Sequence, residues 1–175
     1  MTLGKKGQGI AIDFLFAVLV FLLVLNACMS IFDNNAISVF EKNLLNGLHS
    51  ATNQSVDMLV RTTGQPQDWQ KKNIDDVQVI GLAKRDRVLD SSKVEKFAEW
   101  AENYSSSDYN RCKSLLLMGY DYSLKILDSS GATLYQAPAA YPSSWDLAVN
   151  LAVKRIVNID GDEAVVEFTT YYPAR

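Results

Sequence analysis

Apolar and polar residues follow three different rhythms along this chain. From Phe14 to Phe32 a run of 19 residues carries no charge and consists mainly of Phe, Leu and Val. As a helix rising about 1.5 Å per residue, such a run spans the roughly 30 Å hydrocarbon core of a bilayer. The second rhythm begins after Phe32. Ile37, Phe40, Leu44, Leu48, Ala51 and Ser55 recur at spacings of three and four, joined by Leu45, Val56 and Leu59, while Glu41, Lys42, Asn46 and Asp57 fall mostly elsewhere. This predicts an amphipathic helix that stops at Gly64 and Pro66. If the two segments are continuous, Ile10 to Val60 forms one helix of about 75 Å. Asp33-Asn34-Asn35 is then the place for a kink or a break.

The remainder reads as a small head. Trp69 opens a stretch in which Ile74, Val77, Val79, Ile80 and Leu82 fit neither period. Val94, Phe97, Ala98 and Ala101 predict a helix capped by Ser91 or Ser92, and a second short helix is expected from Asp108 to Gly119, with Tyr109, Cys112, Leu115 and Leu116 inside. Alternation then takes over at Tyr120, Tyr122, Leu124 and Ile126, with a turn at Asp128 to Gly131 before Thr133-Leu134-Tyr135. Leu151 to Ile159 and Ala164 to Tyr172 flank Asp160-Gly161, a hairpin signal because both central residues tolerate positive φ. The expected fold class is α+β: a long N-terminal helix, transmembrane in its first half, packed against a small antiparallel sheet of three or four strands with additional short helices.

Average composition conceals this organisation. Hydrophobic residues make up 48% and charged residues 21%, and the mean hydropathy is -0.03, all near values for soluble chains. The formal net charge is -3, from 17 basic and 20 acidic residues. A mildly acidic body without a basic stripe argues against nucleic acid as a partner. Cys28 and Cys112 are too few and too distant for a disulfide framework, and His49 alone supports neither a zinc site nor a histidine-based triad. Phosphate-binding glycine loops, CxxC pairs, GxSxG elbows and HExxH helices are absent from the sequence. The reading is therefore of a protein that is not an enzyme and takes no cofactor.

Three readings compete for the N-terminus. A cleaved secretory signal has a shorter apolar region, followed by small residues rather than Ile31-Phe32-Asp33. An uncleaved signal anchor accounts for Lys5 and Lys6, which hold a short leading segment in the cytoplasm. The third reading comes from Lys5-Lys6-Gly7-Gln8-Gly9-Ile10-Ala11-Ile12-Asp13-Phe14, a basic pair and glycine before the run and one acid at its start. This segment resembles the class III signal peptide of archaeal type IV prepilin-like proteins. The resemblance covers about thirty residues. It implies cleavage between Gly7 and Gln8 by a membrane prepilin peptidase, with Lys5 and Lys6 as the leader charge. Asp13 would follow as the carboxylate that meets a neighbouring subunit's new α-amino group during assembly. The family usually places glutamate fifth in the mature chain, whereas Asp13 would be sixth, and Gly9 offers a second junction.

Under that resemblance the chain divides into a basic leader at 1–7, a transmembrane and assembly half-helix at 8–32, an amphipathic half-helix at 33–64 and an extracytoplasmic α+β head at 65–175. The implied function is a structural subunit, a homo-oligomer or one packed with other pilin-like subunits. It passes through membrane lipid before assembly into a surface filament or pseudopilus, which can serve adhesion. An assembly ATPase and a membrane platform are the implied partners. The alternative is an uncleaved single-pass anchor displaying a binding or sensory head.

Several single features get a modest reading. Cys28 reads as a small buried hydrophobe and His49 as a surface residue. Asp160, Asp162 and Glu163 offer oxygens to a hard cation but lack calcium-loop spacing, so a solvated turn is the favoured reading. Asn53-Gln54-Ser55 and Asn103-Tyr104-Ser105 match the N-glycosylation pattern, which matters only outside the cell. Trp69, Trp100, Tyr104, Tyr109, Tyr120, Tyr122, Tyr135, Tyr141, Trp145, Tyr171 and Tyr172 are expected mainly in the core or the seam between helix and sheet.

Overall fold

The computed structural model describes residues 4–116, 118–142 and 149–172, with side chains described at 14–32, 39, 42–116, 118–142 and 149–172. Helix α1 runs from Gly4 to Arg61, and its helical backbone continues through Asp33-Asn34-Asn35. The chain forms two compact units, 1–45 and 46–175, so the last four turns of α1 belong with the head. Within the head follow single 3-10 turns at Trp69–Lys71 and Ile74–Asp76, then β1 (Ala83–Arg85), β2 (Val88–Leu89), α2 (Ser91–Trp100) and α3 (Ser107–Leu115). Strands β3 (Asp121–Asp128), β4 (Thr133–Ala137), β5 (Val149–Ile159) and β6 (Asp162–Tyr172) complete it.

The fold is α+β, but the sheet corrects the expectation of three or four antiparallel strands. Six strands lie in the order β1-β2-β5-β6-β3-β4, curled into a half-barrel. It is mixed because β2 runs parallel to β5, Val88 beside Asn158 and Leu89 beside Ile159. The expected hairpin is present between β5 and β6, with φ of 54° at Asp160 and 103° at Gly161. β3 pairs with β6 over its whole length, and β4 with β3.

Helix caps differ in detail from expectation. Asp90, not a serine, caps α2, its Oδ1 accepting from Ser92 N at 3.1 Å. Ser106 caps α3, its Oγ accepting from Tyr109 N at 3.0 Å, and α3 ends at Leu115. Both are side-chain acceptors for the free N–H groups of a first helical turn.

The inner sheet face carries Tyr122, Leu124 and Ile126 of β3, Ala164, Val166 and Phe168 of β6, and Val157 and Ile159 of β5, all buried. Leu48, Val56, Leu59 and Val60 of α1 are buried with them. Two polar residues on that sheet face find partners on α1. Thr170 of β6 meets Thr52, the two hydroxyls 2.6 Å apart. Arg155 of β5 donates through Nε to Asp57 Oδ1 at 2.9 Å and through Nη2 to Asn53 Oδ1 at 2.8 Å. Apolar burial supplies most of the adhesion, but it tolerates sliding. The hydrogen-bonded pairs select one position, since a shift by one residue leaves buried polar groups unpaired.

The C-terminal carbonyls of α1 have no partner within the helix. The head supplies them: Leu82 N donates to Leu59 O at 2.8 Å, Arg87 N to Val60 O at 2.9 Å and Ala83 N to Thr62 O at 3.0 Å. Segment 79–87 is therefore shaped by the helix end it covers, and this is why its apolar residues follow neither period. Gly81 sits where that segment crosses the chain after α1, and a Cβ there would overlap the Thr62 carbonyl and the Gly64 backbone. Gly119 has open space around the same position.

Gly81→Ala is expected to lower stability by about 2–3 kcal/mol through overpacking, while Gly119→Ala stays within about 0.5 kcal/mol. Denaturant melts of the full chain in detergent, followed by tryptophan fluorescence, measure both; equal midpoints would contradict the close crossing.

Candidate functional site

The feature that most needs a functional account is the apolar part of α1. Phe14–Phe32 is long and apolar enough to cross a membrane. Every side chain in it is exposed, the large apolar ones ranging from 40% at Val18 to 75% at Phe32. Burying each large apolar side chain is worth about 1.5–3 kcal/mol. Leaving the run in water therefore costs on the order of tens of kcal/mol, more than a typical domain's net stability. None of the described residues covers it.

The residues expected to carry processing and assembly precede the run. The backbone of Lys5, Lys6, Gly7, Gln8 and Asp13 lies in α1, while their side chains, like those of Ile37 and Phe40, lie outside the described residues, as does Trp145. The Gly7–Gln8 bond thus falls in the first turns of a helix whose glycines at 7 and 9 each weaken it by about 1 kcal/mol. Cys28 lies on the exposed surface of the run rather than in a protein interior.

Among the described residues of the head, Lys93 is the most buried charge at 3% exposure, and its Nζ donates to Thr63 O at 2.7 Å. Burial pulls its pKa below the usual lysine value, against the opposing influence of Asp90 and Asp68. A cation beside the last carbonyls of a helix also complements its dipole. A polar cleft of about 270 Å³ opens here, lined by Thr63, Asp68, Gln70, Lys84 and Asp90 with Lys93. The sequence reading did not single out Lys93, because nothing in a run of helix residues marks one lysine as inward-facing.

Asp160, Asp162 and Glu163 border a wider groove of about 680 Å³ together with Asp128. Among the described residues no group of three or more ligating side chains is placed to hold a metal ion. Asp160 instead accepts from Ser91 Oγ at 3.3 Å. The two sequons occupy different surroundings. Asn53 is part-buried on α1, its Nδ2 donating to His49 O at 2.9 Å and its Oδ1 held by Arg155. A glycan there would displace those bonds. Asn103 lies in an exposed turn, its Oδ1 accepting from Ser105 N at 3.0 Å.

The aromatic set largely builds the core. Trp69 and Trp100 are 5.2 Å apart, and Tyr122 stacks between Tyr109 at 4.7 Å and Phe168 at 5.5 Å. Beyond the end of β4, the Tyr109 hydroxyl accepts from Tyr122 N at 2.8 Å and donates to Tyr122 O at 3.0 Å, closing an otherwise open stretch of strand edge. Cys112 is buried beside this stack, and burial pushes its thiol pKa up to about 12. Burial also raises Tyr109 and Tyr122 above the usual tyrosine value. None of these groups ionises at neutral pH, so the cluster is a packing unit and not a nucleophile.

Compared with known proteins, the chain matches no family model, no curated sequence and no solved structure.

The two cysteines separate cleanly by chemistry. In detergent at pH 8, Cys112 is expected to resist a maleimide until the head is denatured, with Cys28 replaced by serine so that one thiol is read; fast labelling of Cys112 in the folded chain would contradict its burial. The folded pKa of Cys112 lies above its unfolded value, so its stabilising contribution is complete below about pH 8.5. It is lost as pH rises towards the folded value of about 12. Urea midpoints of the native chain relative to a Cys112→Ala variant should fall between about pH 8.5 and 10, by up to about 1.4 kcal/mol per pH unit; the comparison cancels Lys93, whose lowered pKa acts in the opposite sense. A flat profile would contradict it.

Proposed function

We propose that the chain is a structural subunit of the type IV pilin kind, processed by a prepilin peptidase and assembled through its apolar N-terminal helix into a surface filament or pseudopilus. The observation that carries this reading is the coincidence of Lys5-Lys6-Gly7-Gln8 and Asp13 with the wholly exposed apolar run Phe14–Phe32. Before assembly, lipid covers the run; afterwards, the helices of other subunits do. Asp13 stands at the edge of the run, where a bare carboxylate is costly without headgroups or a partner. A new α-amino group at Gln8 of a neighbouring subunit is a partner of the right sign. The role is structural, with no catalytic step and no cofactor.

An uncleaved membrane anchor carrying an extracytoplasmic head is the second reading. It draws on the helical backbone through the Gly7–Gln8 bond, which a peptidase would have to unwind.

The mass of the N-terminal peptide of membrane-extracted protein separates the two. A chain beginning at Gln8 is expected, and retention of Met1 to Gly7 would favour the anchor. Asp13→Ala should leave processing unchanged and reduce incorporation into filaments at least tenfold; unaltered incorporation would remove Asp13 from the mechanism.

A further inference from the structure

The apolar run contains one group that neither lipid nor its own helix can satisfy. Asn26 lies nearer the middle of Phe14–Phe32 than either end, it is exposed, and its side chain has no hydrogen bond among the described residues. Its carboxamide offers two N–H donors and an accepting oxygen. The serine hydroxyl of Ser30 can turn back to a carbonyl four residues earlier, but a carboxamide is not satisfied in that way. At this depth no water and no headgroup is in reach, so the missing partner is another protein group.

The neighbours of Asn26 specify which one. Leu15, Leu19, Leu22, Asn26 and Met29 are spaced by four, three, four and three residues, and all are exposed. Leu15, Leu19, Leu22 and Asn26 of this face, with Val18 and Leu23, border a shallow groove of about 340 Å³. Alternating three and four is the seam of a two-stranded coiled coil, with leucines packing as knobs into holes. In that frame Asn26 occupies the position where a buried asparagine fixes register and strand number. A parallel copy in the same register brings an identical carboxamide to the same depth, and each amide donates to the other's oxygen. An antiparallel or staggered copy would set each carboxamide against leucine.

We propose that the Leu15–Met29 face of α1 pairs in parallel with the same face of a second copy of this chain, Asn26 against Asn26, and that this contact sets the register. The pairing shares with the proposed function the placing of Phe14–Phe32 in the membrane. An in-register pair sets Asp13 beside Asp13, so the Asp13 to Gln8 contact of the proposed filament, five residues or about 7.5 Å out of register, is made with a different, axially offset neighbour. The pairing depends on neither leader cleavage nor assembly machinery, so the two stand or fall separately.

The test uses the full chain, leader included, in phosphatidylcholine vesicles. Leu22→Cys, made with Cys28→Ser, puts a thiol in the seam, whereas native Cys28 lies on the opposite side of the helix. Oxidation with copper phenanthroline is expected to give at least five times more disulfide dimer through position 22 than through Cys28. Adding Asn26→Leu should lower the yield at position 22 about three- to tenfold, the scale of an interhelical hydrogen bond in a membrane; Asn26→Gln should retain most of it. Since leucine makes the helix more apolar, that loss cannot come from failed insertion. Equal dimer at both positions, no dimer at either, or a yield unchanged by Asn26→Leu would overturn the proposal. N-terminal mass would still test leader cleavage independently.

Discussion

A helix whose apolar side chains point outward in every direction is not a finished structure. Over Phe14–Phe32 no described residue forms a second layer on the helix, and water is the one environment the run cannot occupy at reasonable cost. Every functional reading must start from what covers it. Lipid and the helices of other subunits are chemically similar covers, so passing from one to the other needs little hydrophobic driving force. Direction then falls to the few polar groups near the run, with Asp13 at its edge and Asn26 within it. In the proposed function and the proposed pairing these two residues work at different depths and in different chemistry: one through charge near the headgroups, the other through a carboxamide in hydrocarbon.

The head solves the opposite problem. From Asn46 onward α1 is one-sided, and its end is held by the chain that follows it. Three backbone N–H groups and the Lys93 ammonium take the carbonyls of Leu59, Val60, Thr62 and Thr63. Thr52, Asn53 and Asp57 meet Thr170 and Arg155 on the sheet. The helix end is thus fixed in rotation and in translation relative to the sheet of its own unit. A subunit that transmits load through one helix needs that kind of attachment, and a tethered head needs it as well, so the head by itself does not choose between the two readings.

Long periodic signals survived translation into structure, and local irregularities did not. The apolar run, helix α2 and the β5–β6 hairpin were readable because each rests on its own pattern: absence of charge, spacing of Val94, Phe97 and Ala101, and the turn chemistry of Asp160-Gly161. Strands β1 and β2 were not readable, since Ala83 at the start of β1 and Arg87 just before β2 take their positions from carbonyls at and just past the end of α1, distant in the sequence. Thr52 and Arg155 escaped for a related reason. Each is polar at an inward position and looks solvent-facing until its partner is known. Lys93 escaped likewise, because burial of a lysine depends on the carbonyl that receives it. For the proposed site, the run and its flanking charges were visible in the residues, whereas the proposed pairing face around Asn26 rests on exposure and spacing together.

The most direct measurement of the central claim is the state of the full chain without detergent. Membranes from expressing cells, washed in high salt and sedimented, should retain the protein with the bilayer or in a sedimenting polymer, and detergent should release it. A chain found in the supernatant as a free 19.5 kDa monomer would show that the apolar helix needs no cover from outside, and the account would fail at its root.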